Sequence, residues 1–348
     1  MSARTICHVA DYGGTSSGSF IPTMLSLSRA LVARGDRFVV FATEVPGATW
    51  PADLKAAGVE LRLIRSNREL IEGLRALQPE VVFTHYSRYD LPVLLGAPRA
   101  RIFWHYDTHR ENTSLFARIR AFIKYRVLGR RVEGIVTVSE AMRAECIAWF
   151  APPGCVRMVY NGIDPGRFRF PTPEERSSAR ARFGIAPSDR VVLFFERRPY
   201  KGGATLRRAF AKLPEHRLLV LGGSEAARDL FGTQPRVIAS ARIADARQAY
   251  WAADALAFPS EIEAFGVVLI EALACGLPIA ASDIPVVHEI CDGVESVFIY
   301  PTGDAQALAD ALERASSCTS IESGRARVIE RFSLEGWTRD VLALYDGG

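Results

Sequence analysis

Lysine is nearly missing from this chain. Lys55, Lys124, Lys201 and Lys212 are the only four, so 43 − 4 = 39 of the 43 basic residues are arginine. Codon usage accounts for such a bias, but it draws attention to any lysine inside a glycine-flanked turn. Long apolar runs are missing too, and no stretch approaches the roughly 20 residues of a membrane-spanning helix. The N-terminus enters a strand-like segment without the apolar core of a signal peptide, so the expected location is cytoplasmic. Cys7, Cys146, Cys155, Cys275, Cys291 and Cys318 include no C-x-x-C pair and read as reduced, buried thiols. No D-x-D motif occurs, and neither a metal nor a cofactor is expected. A net charge of +4 over 348 residues argues against general nucleic-acid binding.

What is present is alternation. Short runs rich in Val, Ile and Phe recur between longer amphipathic segments, in two series. The first predicts strands over Thr5–Ala10, Arg37–Ala42, Glu80–Thr84, Arg101–Trp104 and Gly134–Val138, with helices near Phe20–Arg34, Asn67–Leu77 and Leu115–Arg130. The second predicts strands over Arg190–Phe195, Arg217–Leu221, Asp254–Phe258, Pro278–Ala281 and Ser296–Ile299. Its helices fall near Ala204–Leu213, Ala246–Ala252, Gly266–Cys275 and Ala305–Ala315. Apolar strands separated by helices imply parallel sheets covered on both faces. Two series imply two doubly wound α/β domains, 1–164 and 165–332, with a seam in the Pro-rich stretch Asp164–Arg182. A last helix, about Ser333–Leu344 within 333–348, is expected to pack back on the first domain.

Ligands of doubly wound sheets bind beyond the carboxyl ends of the strands, which makes the loops there the place to look. The first, Asp11-Tyr-Gly-Gly-Thr-Ser-Ser-Gly18, precedes a helix. Gly13 and Gly14 would let backbone N–H groups approach an anion, or else merely form a tight turn. The second, Phe194-Phe-Glu-Arg-Arg-Pro-Tyr-Lys-Gly-Gly203, sets Arg197, Arg198 and Lys201 before a helix N-terminus, where cations gather around an anion or stay solvated. The third is far more specific. Pro259-Ser-Glu-Ile-Glu263-Ala-Phe-Gly-Val-Val-Leu-Ile-Glu271-Ala-Leu-Ala-Cys-Gly-Leu-Pro278 carries Glu263 before an apolar helix and Glu271 inside it. A buried carboxylate is costly without hydrogen-bond donors, and sugar hydroxyls and a ribose diol are such donors. The N–H groups near Phe265–Val268 are free to hold a diphosphate.

That segment resembles the signature of the large retaining glycosyltransferase family four (glycosyl transferases group 1). The pattern is Glu, seven residues, Glu, with Phe-Gly after the first and Ala-x-Ala-Cys-Gly-x-Pro after the second. Ser282, Asp283 and Glu289 fit its continuation, and Val138-Ser-Glu140 and Asn161-Gly-Ile-Asp164 match two shorter motifs. The resemblance covers nearly the whole chain in order. It departs at Glu196-Arg197-Arg198-Pro199-Tyr200, where the usual Gly-Arg and four-residue spacer are replaced, so either arginine is open as the phosphate contact.

The resemblance implies a GT-B fold, two Rossmann-like domains facing across a cleft, with the acceptor on the first and the nucleotide-sugar donor on the second. It implies metal-free transfer, with retention, of a sugar from a UDP- or GDP-type donor to a small-molecule, saccharide or lipid-linked acceptor. The implied catalytic group is His105, Glu263, Lys201, Arg197 and Arg198, with His85 as rival to His105. Gly13, Gly14, Asn161, Arg242, Ile243, Ala264 to Val267 and Glu271 would bind the donor, and Asp107, His109 and Arg110 the acceptor. A sugar-nucleotide 2-epimerase and a catalytically silent nucleotide-sugar-binding homologue share the architecture. The stripe Leu115, Phe116, Ile119, Phe122, Ile123 and Val127, with Arg118, Arg120, Lys124, Arg126 and Arg130 opposite, reads first as a core-facing helix. Contact with a membrane surface is the second reading.

Overall fold

The computed structural model describes residues 3–14, 20–109, 113–196, 198–222, 224–240, 243 and 245–347. The chain divides into two units, one running to Gly162 and taking up Leu334 onward, the other spanning Ile163–Ser333. In the first, the described strands are β1 (Thr5–Ala10), β2 (Arg37–Thr43), β3 (Glu60–Ile64), β4 (Val81–Thr84), β5 (Arg101–Tyr106), β6 (Gly134–Thr137) and β7 (Val156–Met158). All pair in parallel, in the order β3-β2-β1-β4-β5-β6-β7. In the second they are β8 (Arg190–Phe195), β9 (His216–Leu221), β10 (Val237–Ser240), β11 (Ala255–Phe258), β12 (Ile279–Ser282) and β13 (Val297–Tyr300). Their order is β10-β9-β8-β11-β12-β13, again parallel.

The helices cover these sheets for the reason the sequence suggests. Ile21, Met24, Leu27 and Leu31 of helix Phe20–Ala33 recur at helical spacing and are buried against Ile6, Val40 and Phe83. Each such side chain is worth about 1.5–3 kcal/mol on burial. The final helix, Leu334–Asp346, contributes Val341, Leu344 and Tyr345 to the same core. Arg101 donates from its Nη1 to the Tyr345 carbonyl over 2.8 Å and fixes that helix to the first sheet. The second core joins Leu206, Phe210, Leu308 and Leu312 to Val192, Phe194 and Val220.

Strand reading missed β3, β7 and β10. All three lie at sheet edges; β3 mixes polar with apolar residues and β7 has three residues, while β10, Val-Ile-Ala-Ser, is a short apolar run that was passed over. The stretch read as a seam contains a helix, Pro173–Arg182, opened by a capping box between Thr172 and Glu175. It belongs to the second unit, where Arg176 and Arg180 pair with Asp254 ahead of β11.

The core-facing reading of Leu115–Arg130 is overturned. An α-helix (Leu115–Phe122) runs into a π turn (Ile123–Val127) and a 3-10 turn (Leu128–Arg131), and it is Ala121, Tyr125 and Gly129 that face inward. The apolar stripe lies on the exposed side. Tyr125 packs edge-on against Trp104 and Tyr106, and this pair of aromatic contacts fixes which face turns in.

Candidate active site

In each sheet the strand order reverses once, and the crevice at such a reversal is where a doubly wound sheet binds ligands. In the second unit the reversal lies between β8 and β11. The loops leaving those two strands are the two that carry the cations and the glutamates.

After β8 the chain makes a single 3-10 turn, Pro199–Lys201, and Gly202 then opens helix Gly203–Phe210. Gly202 has a φ of +74°, and a Cβ there would stand 1.8 Å from the Pro259 carbonyl oxygen. Only glycine permits so close an approach of the β8 loop to the β11 loop. That approach brings Lys201 Nζ into an ion pair with Glu263 Oε2, both side chains largely shielded, at 20% and 14% exposure. Lys201 also lies 5.9 Å from the centroid of the Phe258 ring. Arg198 is exposed and lines an open cavity of about 550 Å³ with Glu196, Gly203, Gly222 and Asp229. Burial pushes the Glu196 carboxyl up. Arg197 lies outside the described residues.

After β11 the loop leads to Gly266, whose φ of +87° places it as the N-cap of helix Val267–Ala274. No side chain caps this end, and the first-turn N–H groups at Val267 and Val268 have no intrahelical acceptor. Phe265 is buried edge-on to Phe332 and anchors the turn. Glu271 accepts a 2.6 Å hydrogen bond from the hydroxyl of Tyr250, a buried side chain of helix Arg247–Ala252. Tyr250 went unrecognised in the sequence, because its relation to Glu271 exists only once the two helices pack. Ile243 is half-buried beyond β10, while Arg242 lies outside the described residues. Asn161 is half-buried, just after β7, and Asp164 closes a tight turn by accepting from Gly166 N at 2.8 Å.

In the first unit the reversal lies between β1 and β4. The β1 loop begins with Asp11, held by Arg88 and Thr43, and Gly14 accepts from Trp50 Nε1 at 2.9 Å. Residues 15–19 lie outside the described chain. His85, at the end of β4, is hydrogen-bonded through Nε2 to His8 Nδ1 at 2.9 Å, and His8 Nε2 pairs with the Tyr345 hydroxyl at 2.5 Å. Burial holds His8 down to about 3 and His85 well below the ordinary imidazole range, so both are neutral. His105, at the end of β5, has its ring 5.6 Å from that of His85. Asp107 Oδ2 stands 3.5 Å from His105 Nδ1, but without the alignment of a hydrogen bond. His109 is bound by Glu145, which also accepts from the Tyr106 hydroxyl at 2.7 Å. Arg110 lies outside the described residues. His105 and His109 stand four apart, a spacing that unites two metal ligands on a helix, but here a strand end and a loop carry them. Among the described residues no group of three or more ligating side chains gathers.

Such a pair of parallel-sheet units defines the GT-B class of fold, and solved structures agree over the whole chain. Anabaena HepE, solved in complex with UDP-glucose, superposes with a TM-score of 0.83 at 17% identity, covering 99% of this chain and 100% of that one. A glycosyltransferase from Rickettsia africae gives 0.82 at 17% identity, over 100% and 99%. The Glycosyltransferase Family 4 model matches residues 23–167, and the Glycosyl transferases group 1 model matches 189–317. The chain belongs to this glycosyltransferase family. D-inositol 3-phosphate glycosyltransferase of Saccharomonospora viridis is 34% identical over 225 residues, 56% of this chain and 50% of that protein. An uncharacterized glycosyltransferase of Methanocaldococcus jannaschii is 27% identical over 231 residues, 61% and 59% respectively. The chain thus spans about half the length of the curated relatives it matches. Among its described residues no helix is long and apolar enough to cross a membrane.

Proposed function

We propose that this protein transfers a sugar from a UDP-sugar to an acceptor hydroxyl or amine, with retention of configuration and without a metal ion. The observation that carries the reading is the Lys201–Glu263 ion pair beside the uncapped helix at Gly266, with Glu271 farther along the same helix. Breaking the anomeric bond moves negative charge onto a diphosphate. Lys201, Arg198 and the helix N-terminus supply fixed positive potential for that charge, with no reorganisation needed as it grows. Glu263, released from Lys201 as the diphosphate arrives, is suited to orient the sugar hydroxyls. Glu271, held by Tyr250, is suited to accept from the ribose diol.

UDP is favoured over GDP by the HepE complex, a neighbour of the same fold along its full length. The transfer is proposed to run by same-face attack, with the leaving phosphate accepting the acceptor's proton. His105 is proposed for the acceptor side, because its ring sits at a strand end while His8 and His85 are consumed in bonding one another.

Calorimetry with UDP, GDP and their sugars, followed by turnover with chelator present, tests the reading. UDP should bind more tightly than GDP, and product should require an acceptor and keep the donor's anomeric configuration. Conversion of donor alone would mark a 2-epimerase. Tight binding without turnover on any acceptor would mark a silent homologue, and activity lost to chelator and restored by Mg²⁺ would overturn the metal-free route.

A further inference from the structure

We propose that the segment Leu115–Arg131 seats the protein on an anionic lipid surface. Its apolar stripe stays largely in solvent, with Phe122 meeting the Phe150 ring edge-on at 5.6 Å. Leu115 and Phe116 are 75% and 70% exposed, and Ile119, Phe122, Ile123 and Val127 each keep about half their surface in water. Six large apolar side chains at helical spacing form a contiguous patch, which monomeric proteins leave uncovered where something binds. The stripe is not waiting for a better core, because the segment is already docked by its other side. Tyr125 is fully buried, Ala121 and Gly129 pack inward, and Lys124 pairs with Asp90.

Charge chooses the occupant. No acidic residue occurs from Asn112 to Val132, whereas Arg118, Arg120, Arg126, Arg130 and Arg131 are all exposed on the segment. An apolar strip edged by arginines matches a bilayer interface, with side chains entering the acyl boundary and guanidiniums reaching anionic headgroups. A second copy of this chain fits poorly, since a two-fold contact through the same patch would set arginine against arginine. The proposal stands on this surface alone and is independent of the transfer chemistry.

Flotation of the full chain with vesicles tests it, using phosphatidylcholine alone and phosphatidylcholine with about a third phosphatidylglycerol. Binding should appear on the anionic vesicles and fall with salt. The pair Phe116→Asp and Ile119→Asp should weaken it about tenfold or more, and so should Arg126→Glu with Arg130→Glu. Both pairs alter only exposed side chains and leave Ala121 and Tyr125 in place. Equal binding to neutral vesicles would overturn the proposal, as would no binding to either kind at low salt. So would a concentration-dependent dimer in sedimentation that the Phe116→Asp and Ile119→Asp pair dissolves.

Discussion

His8 and His105 lie on β1 and β5 and His85 directly follows β4, neighbouring strands of one sheet, yet their surroundings separate them. His8 and His85 bond one another inside the core, while His105 keeps 15% of its side chain exposed and its Nδ1 makes no hydrogen bond with the described residues. His105→Ala should cut turnover roughly 10²-fold or more with nucleotide affinity unchanged, as for loss of a positioned polar group. His85→Ala should chiefly lower stability, by breaking the His8 contact and opening space beside Phe83. Steady-state kinetics and thermal melts on the two variants check this, and a reversal of the two effects would show that the wrong imidazole was chosen. Glu271→Ala should weaken UDP and UDP-sugar alike by about 1.5–3 kcal/mol, the worth of a hydrogen bond to a charged acceptor. Unchanged nucleotide affinity in calorimetry would remove Glu271 from the donor site. Lys201→Ala should lower kcat more than it raises KM, because leaving-group charge is greatest in the transition state. An effect confined to KM would make the lysine a ground-state contact.

At the scale of elements, two short helices matter because of how their first residues sit. Gly202 and Gly266 both adopt left-handed backbone, and each turns the chain from a strand end into a helix with its N–H groups open. Gly202→Ala would force a Cβ onto the Pro259 carbonyl and add a strained φ, a cost of about 1–3 kcal/mol from the backbone alone. The displaced turn carries Lys201, so the variant should lose donor affinity as well as melting temperature. Gly154→Ala serves as the control, since among the described residues nothing lies within 4 Å of its added Cβ. A Gly202→Ala variant as stable as the Gly154→Ala one would show that the two loops can part at little cost. The segment Leu115–Arg131 shows how far periodicity alone can mislead. Its stripe marked one face as apolar, but which face turned inward depended on Tyr125 finding Trp104 and Tyr106.

For the whole molecule, the buried histidines tie stability to pH. An unfolded chain protonates His8 near 6.5, the folded one only near 3. Unfolding therefore takes up protons between those values, and stability falls as pH drops from about 6.5 towards 3. Each such histidine contributes at most about 1.4 kcal/mol per pH unit. His85 and His216 act in the same direction, both depressed first of all by burial. Urea unfolding at pH 7 and pH 5 should show the loss, and His8→Gln should reduce the slope by close to one proton. An identical slope in the variant would mean that His8 is protonated in the fold.

The sequence by itself determined the two parallel sheets, because strands covered on both faces must be apolar throughout and helices between them must be amphipathic. It also determined the helix that follows Glu263 and carries Glu271, whose spacing and terminal glycine are local features of the chain. Edge strand β3 escaped notice because a half-exposed strand needs no apolar run, and Glu60 and Arg62 interrupt it. Only the tertiary structure decided that Lys201 meets Glu263, that Tyr250 holds Glu271 and that His85 is spent on His8. Each of those contacts joins residues from 21 to 77 positions apart. Packing alone brings such distant groups together, and composition and periodicity are blind to it.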